Sequence, residues 1–112
     1  MGASKNYNFK MYTDIARSMA NHNKIMTGTR FNTLDATILN LIKSFSDSNT
    51  KFFISNKELG EITVADPSTV QRSIDRLVST GLVKKEITYI GQKPQRQLTY
   101  MSDAVNSLLE LY

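Results

Sequence analysis

The sequence predicts an α+β fold, mainly α, with one small antiparallel hairpin. Three observations predict it. Apolar residues recur three and four apart in several segments, which is helical spacing. Two short segments alternate apolar and polar residues on either side of a glycine-containing turn. Helix-start signals of the capping-box and Asp-Pro kind lie between the helical segments. The chain has 112 residues, 40% of them hydrophobic, enough for one core and too few for two.

Residues 1–8 read as a polar leader. Phe9, Tyr12, Ile15, Ala16 and Met19 then mark a first helix ending at about Ala20. Residues 21–29 are polar, with Gly28 as a breaker. Asn32 or Thr33 caps the next helix, and Asp35 in its first turn suits the helix dipole. Leu34, Ile38, Leu41, Ile42 and Phe45 form its apolar stripe, and Ser46-Asp47-Ser48-Asn49 stops it.

Lys51-Phe52-Phe53-Ile54 predicts one brief strand. Ser55 and Glu58 make a capping box for a short helix from Asn56 to about Ile62, burying Leu59 and Ile62. Thr63-Val64-Ala65 forms a turn. Asp66 caps the following helix, Pro67 takes its first position, and Gly81 ends it. Val70, Ile74, Leu77 and Val78 are its inward face. Leu82 to Ile90 and Gln95 to Met101 are the hairpin strands, joined through Gly91-Gln92-Lys93-Pro94. Ser102 caps a last helix with Val105, Leu108, Leu109 and Tyr112 in a stripe.

Charge gathers in two blocks. The net charge is +4; residues 1–30 hold five basic side chains against one acidic, and residues 66–101 six against three. An anionic partner fits that distribution. There is no cysteine, which removes disulfides and thiolate chemistry and agrees with a reducing, cytoplasmic location. No apolar run is long enough to span a bilayer, and the N-terminus lacks a signal-peptide core.

An enzyme is not expected. The single histidine, His22, lies in a polar stretch and reads as a surface residue. Without cysteine or a second histidine an ordinary zinc site cannot form. The glycines make no phosphate loop, no serine sits in a nucleophile elbow, and the carboxylates are scattered. No cofactor is expected.

The order helix, short strand, helix, turn, helix, hairpin, helix, carried by Ser55-Asn56-Lys57-Glu58-Leu59-Gly60, by Asp66-Pro67-Ser68-Thr69-Val70-Gln71-Arg72-Ser73-Ile74-Asp75-Arg76-Leu77 and by Gly81-Leu82-Val83, resembles the winged helix-turn-helix family over residues 31–101. The likeness runs most toward the N-terminal modules of plasmid replication initiators and phage replisome organisers, with MarR-type repressors and partition adaptors as near neighbours. It implies residues 1–30 as a leader, helix and dimerisation arm, 31–101 as the DNA-binding domain, and 102–112 as a C-terminal helix. It further implies sequence-specific binding of double-stranded DNA in replication initiation, plasmid partition or transcriptional control. The expected partners are DNA, a second copy in a homodimer, and replication or partition machinery. Ending after an apolar run, the chain also reads as a piece of a longer protein.

The site follows from helical geometry as well as from resemblance. With Val70, Ile74 and Leu77 inward, Ser68, Arg72, Asp75 and Arg76 fall opposite, flanked by Thr69 and Gln71. Arginine, glutamine and hydroxyl groups suit base edges and phosphates. Ser55, Asn56 and Lys57 open a helix that can hold a phosphate, or Ser55 serves only as a cap. Lys93 and Arg96 lie at the predicted hairpin tip and suit backbone contact. The rival reading is a winged-helix protein-interaction module that never touches DNA; an RNA-binding reading finds no aromatic stacking platform.

Overall fold

Local side-chain chemistry sets most helix boundaries in this chain. In the computed structural model, which describes residues 9–25 and 30–111, the elements are α1 (Phe9–Ile25), α2 (Thr33–Asp47), α3 (Asn56–Thr63), α4 (Pro67–Ser79), β1 (Val83–Ile90), β2 (Lys93–Tyr100) and α5 (Ser102–Leu111). The fold is α+β and mainly helical, and its order is compatible with a winged-helix layout. No helix among the described residues is long and apolar enough to cross a membrane.

α2 begins at a complete capping box. The Asn32 side chain accepts from the Asp35 N–H at 3.0 Å, and Asp35 accepts from the Asn32 N–H at 2.9 Å. α3 begins at a second box, formed by Ser55 and Glu58. α4 starts differently from expectation. Asp66 stands at the N-cap position, but its side chain makes no capping hydrogen bond. Its carbonyl accepts from the Val70 N–H at 3.0 Å, and Pro67 has no N–H to satisfy. α4 closes in a Schellman motif: Gly81, at φ +81°, donates to the Val78 carbonyl, and Leu82 donates to that of Leu77.

α1 runs five residues beyond its expected end, to Ile25, because residues 21–25 contain no glycine or proline to stop it. The chain returns to α2 through Asn23, whose side chain donates to the Phe31 carbonyl at 2.6 Å and accepts from its N–H at 2.8 Å. α1 packs on α2 and α5, so Ile15, Met19, Val105 and Leu108, from the two terminal stripes, are buried within the single chain. The expected side chain of Tyr112 and residues 1–8 lie outside the described residues. Ser102 is the first residue of α5 rather than its cap; the Met101 carbonyl accepts the first helical bond, from Val105.

α2 is the central helix. Ala36, Ile38, Leu39 and Ile42 are buried there, and it touches α1, α3, α4 and β2. α3 and α4 pack together, and the turn between them folds back on Gly60, where a Cβ would meet the Ala65 carbonyl oxygen at 2.5 Å. That close approach puts the α3 contact on the Leu59–Gly60 side and leaves Ile62 57% exposed, not buried as its spacing suggested.

The predicted strand at Lys51–Ile54 is a single bridge, Phe52 to Leu98, closed by a Leu98 N–H to Phe52 carbonyl bond of 3.1 Å. The second strand starts two residues earlier and the turn is tighter than expected. β1 and β2 pair antiparallel from Val83–Tyr100 out to Ile90–Lys93, so only Gly91 and Gln92 form the turn. Gly91, at φ +66°, supplies the positive φ that a two-residue loop needs. Lys93 and Pro94 are therefore strand residues.

Candidate nucleic-acid interface

The face of α4 is divided by its packing. Val70, Ser73, Ile74 and Leu77 are buried. On a turn of ~100° per residue, Ser68, Arg72 and Asp75 lie opposite them, while Gln71 and Arg76 sit on the two flanks. The flanks are not free, and the sequence alone did not reveal what they bind.

Arg76 turns toward α2. Its Nε donates to Asp35 Oδ2 at 2.9 Å and its Nη2 to Oδ1 at 3.0 Å, a bidentate pair. The Ser73 hydroxyl also bonds Asp35 Oδ1. Asp35 is wholly buried, so the carboxylate expected to serve the helix dipole also ties α2 to α4. The bond from Asp35 holds Arg76 above its ordinary pKa, against the opposing effect of burial. Arg76, expected on the open face, is thereby committed to the interior; a long side chain at the edge of a buried stripe reaches inward when an ion waits there.

Gln71 turns toward α3. Its Oε1 accepts from Asn56 Nδ2 at 2.5 Å, and its Nε2 donates to Asp75 Oδ1 at 2.7 Å. Asn56 in turn accepts from Arg96 Nη1, and Arg96 Nη2 donates to the Ile54 carbonyl at 2.7 Å. Arg96 therefore sits in the flank of the hairpin, paired with Ile87, rather than at its tip. Burial pushes its pKa below the ordinary value. The chain Arg96–Asn56–Gln71–Asp75 joins β2, α3 and α4 and fixes how the hairpin stands beside α4.

The exposed remainder is Ser55, Lys57, Ser68, Arg72 and Lys93, with Thr69 half-buried. Ser55 is occupied as a cap: its Oγ accepts from the Glu58 N–H at 3.2 Å and contacts Glu58 Oε1 at 3.2 Å. The Glu58 carboxylate already supplies an anion at that helix start, which weighs against a phosphate held by Ser55. Arg72 Nη2 lies 3.5 Å from Thr69 Oγ1, the far limit of a hydrogen bond. Among the described residues Lys57, Arg72 and Lys93 have no carboxylate within salt-bridge distance. No three His, Cys, Asp or Glu side chains gather into a metal set among the described residues. His22, expected at the surface, is half-buried with its ring 5.1 Å from that of Phe31.

Comparison with protein families, curated proteins and solved structures gives no match to this chain. The functional reading therefore stands on the geometry of these side chains.

Proposed function

We propose that this chain is a winged helix-turn-helix protein that binds double-stranded DNA in a sequence-specific manner, with α4 in the major groove and the β1–β2 hairpin against the flanking backbone. The observation that carries the reading is the division of α4. One face is sealed into the core, and the opposite face presents Ser68, Thr69, Arg72 and Asp75, with no large apolar residue among them. The major groove, about 12 Å wide, admits such a helix.

Arg72 is the base-reading side chain in this proposal, because it is exposed and its cation is unmatched by a carboxylate. Lys57 and Lys93 grip phosphates on either side of it. Asn56, Gln71 and Arg96 set the angle between hairpin and helix instead of touching bases first. Asp75 beside Arg72 disfavours a purely phosphate-gripping face and favours selective contacts, since a carboxylate repels backbone and accepts from cytosine.

A selection from random duplex DNA tests the reading, followed by titration of the enriched motif and a scrambled control at two salt concentrations. The expected result is an enriched motif bound at least ~10³-fold more tightly than the control at physiological salt. No enriched motif, with weak binding that vanishes as salt rises, would overturn it and return the surface to a protein partner.

A further inference from the structure

The β1–β2 hairpin is apolar where it leaves the body of the protein. Val83, Leu98 and Tyr100 bury one face of its base. Further out on that face, Ile87 stands opposite Arg96 and Tyr89 opposite Pro94. Ile87 is 56% exposed, Tyr89 67%, and Ile90, on the other face and paired with Lys93, 56%. Folding does not account for them, since threonine serves an exposed strand equally well.

We infer that this outer end is a wedge for the minor groove of duplex DNA, with Tyr89, Ile87 and Ile90 entering at a base step beside the site under α4. The inference rests on the DNA-binding reading above. Apolar side chains pushed between base steps unstack them and kink the duplex. Two observations select this occupant. The hairpin carries Lys84, Lys85, Lys93 and Arg96 against Glu86 alone, so its apolar tip sits in a cationic frame. That frame suits a polyanion and opposes a second copy of the same hairpin, which would bring like charges together. Apolar side chains stand on both faces of the outer end, Ile87 and Tyr89 on one and Ile90 on the other, which fits a slot rather than a flat surface; the minor groove is a slot about 6 Å wide.

Placement agrees. Arg96 bonds the Ile54 carbonyl and Asn56 at the start of α3, so the face that carries Arg96, Ile87 and Tyr89 is anchored beside that helix start. From the Lys85–Leu98 pair to the Ile90–Lys93 pair the strands advance five residues, roughly 17 Å, enough to cross one backbone from major to minor groove.

The test uses the full chain and an end-labelled duplex of about 30 base pairs carrying the enriched motif. Energy transfer reads the bend, and 2-aminopurine at the flanking steps reads unstacking. Wild-type protein is expected to bring the ends together and brighten 2-aminopurine. The Tyr89→Thr, Ile90→Thr variant is expected to bind about tenfold more weakly and to leave the duplex straight, with motif preference retained. A wild-type complex that binds the motif but stays straight and stacked overturns the wedge while sparing the DNA-binding reading, and needs no variant. Equal bending by the variant does the same. Wild-type protein that enriches no motif sinks both together. Binding to phosphatidylserine vesicles that the same variant abolishes, with the duplex left straight, assigns the tip to a lipid surface and also overturns the wedge.

Discussion

Two polar joints hold α4 in place, and they are built on opposite principles. The inner joint centres on Asp35, which is wholly buried and accepts from the Asn32 N–H, from Arg76 twice and from the Ser73 hydroxyl. The outer joint, Arg96–Asn56–Gln71–Asp75, runs through the amides of Asn56 and Gln71 at its centre and lies half in water. A buried ion has no substitute for its partner, whereas a half-exposed amide can exchange its partner for water. The two arginines of α4 are four residues apart, yet one is locked inside and the other is open. Under the proposed function, stability and recognition fall to different side chains of one helix.

Breaking the inner joint has the largest expected effect. Asp35→Ala leaves Arg76 and Ser73 without their shared carboxylate and removes the Asp35 half of the α2 capping box. It is expected to destabilise the fold by about 3–5 kcal/mol, read as the urea midpoint against wild type. A loss under ~1 kcal/mol would mean the joint is dispensable and the comparison false.

The arginine pair sharpens the contrast. Arg72→Ala should leave the melting curve within ~0.5 kcal/mol of wild type and weaken binding to the enriched motif by about 1–3 kcal/mol, with preference relaxed at one base pair. Arg76→Ala should do the reverse, lowering stability by orphaning Asp35. If Arg76→Ala relaxed motif preference and Arg72→Ala did not, the two roles would be exchanged.

The outer joint should respond more gently. Asn56→Ala is expected to cost about 0.5–1.5 kcal/mol, because Arg96 and Gln71 can recover water. Its clearer signature is faster hydrogen exchange at residues 93–97, where the hairpin loses its tie to α3. Unchanged exchange there would show that the Phe52–Leu98 bridge alone positions the hairpin.

What the sequence revealed follows this same division. Boundaries decided within four residues were legible: the Ser55–Glu58 box, Pro67 at the start of α4, and Gly81 at its end. The exposed positions Ser68 and Arg72 were legible too, because they lie opposite the buried stripe. The joints were not. Ser73 and Arg76 find Asp35 across separations of 38 and 41 residues, and Arg96 finds Asn56 across 40, so no local pattern announces them. Asp35 was misleading because its place in the first turn, suited to the helix dipole, explained the carboxylate before its partners on α4 were visible. Ile87 and Tyr89 fall within the predicted strand, but their exposure depends on what the rest of the fold covers, which is a tertiary fact. Gly60 hid the exposure of Ile62 in the same way, through one backbone contact.

The smallest effect comes from a polar group that belongs to neither joint. The Tyr100 hydroxyl is buried with no hydrogen-bond partner among the described residues, while Lys43 Nζ sits 5.4 Å from the centre of its ring. Burial, with Asp47 nearby, pushes its pKa up to about 12. The sign follows from the two states. The unfolded phenol ionises near pH ~10, whereas the folded one keeps its proton to about pH 12. Stability is therefore intact below pH ~10 and falls as pH rises toward 12, where the unfolded state alone has lost the proton. Tyr100→Phe keeps the ring under Lys43 and deletes the stranded hydroxyl. It should be neutral or stabilising by up to about 1 kcal/mol at pH 7 and should flatten the alkaline decline. Urea midpoints at pH 7 and at several values above ~10 read both effects. A loss of stability at pH 7 would mean that the hydroxyl has a bonding partner after all. It would then belong with Asp35, among the groups whose burial depends on being satisfied.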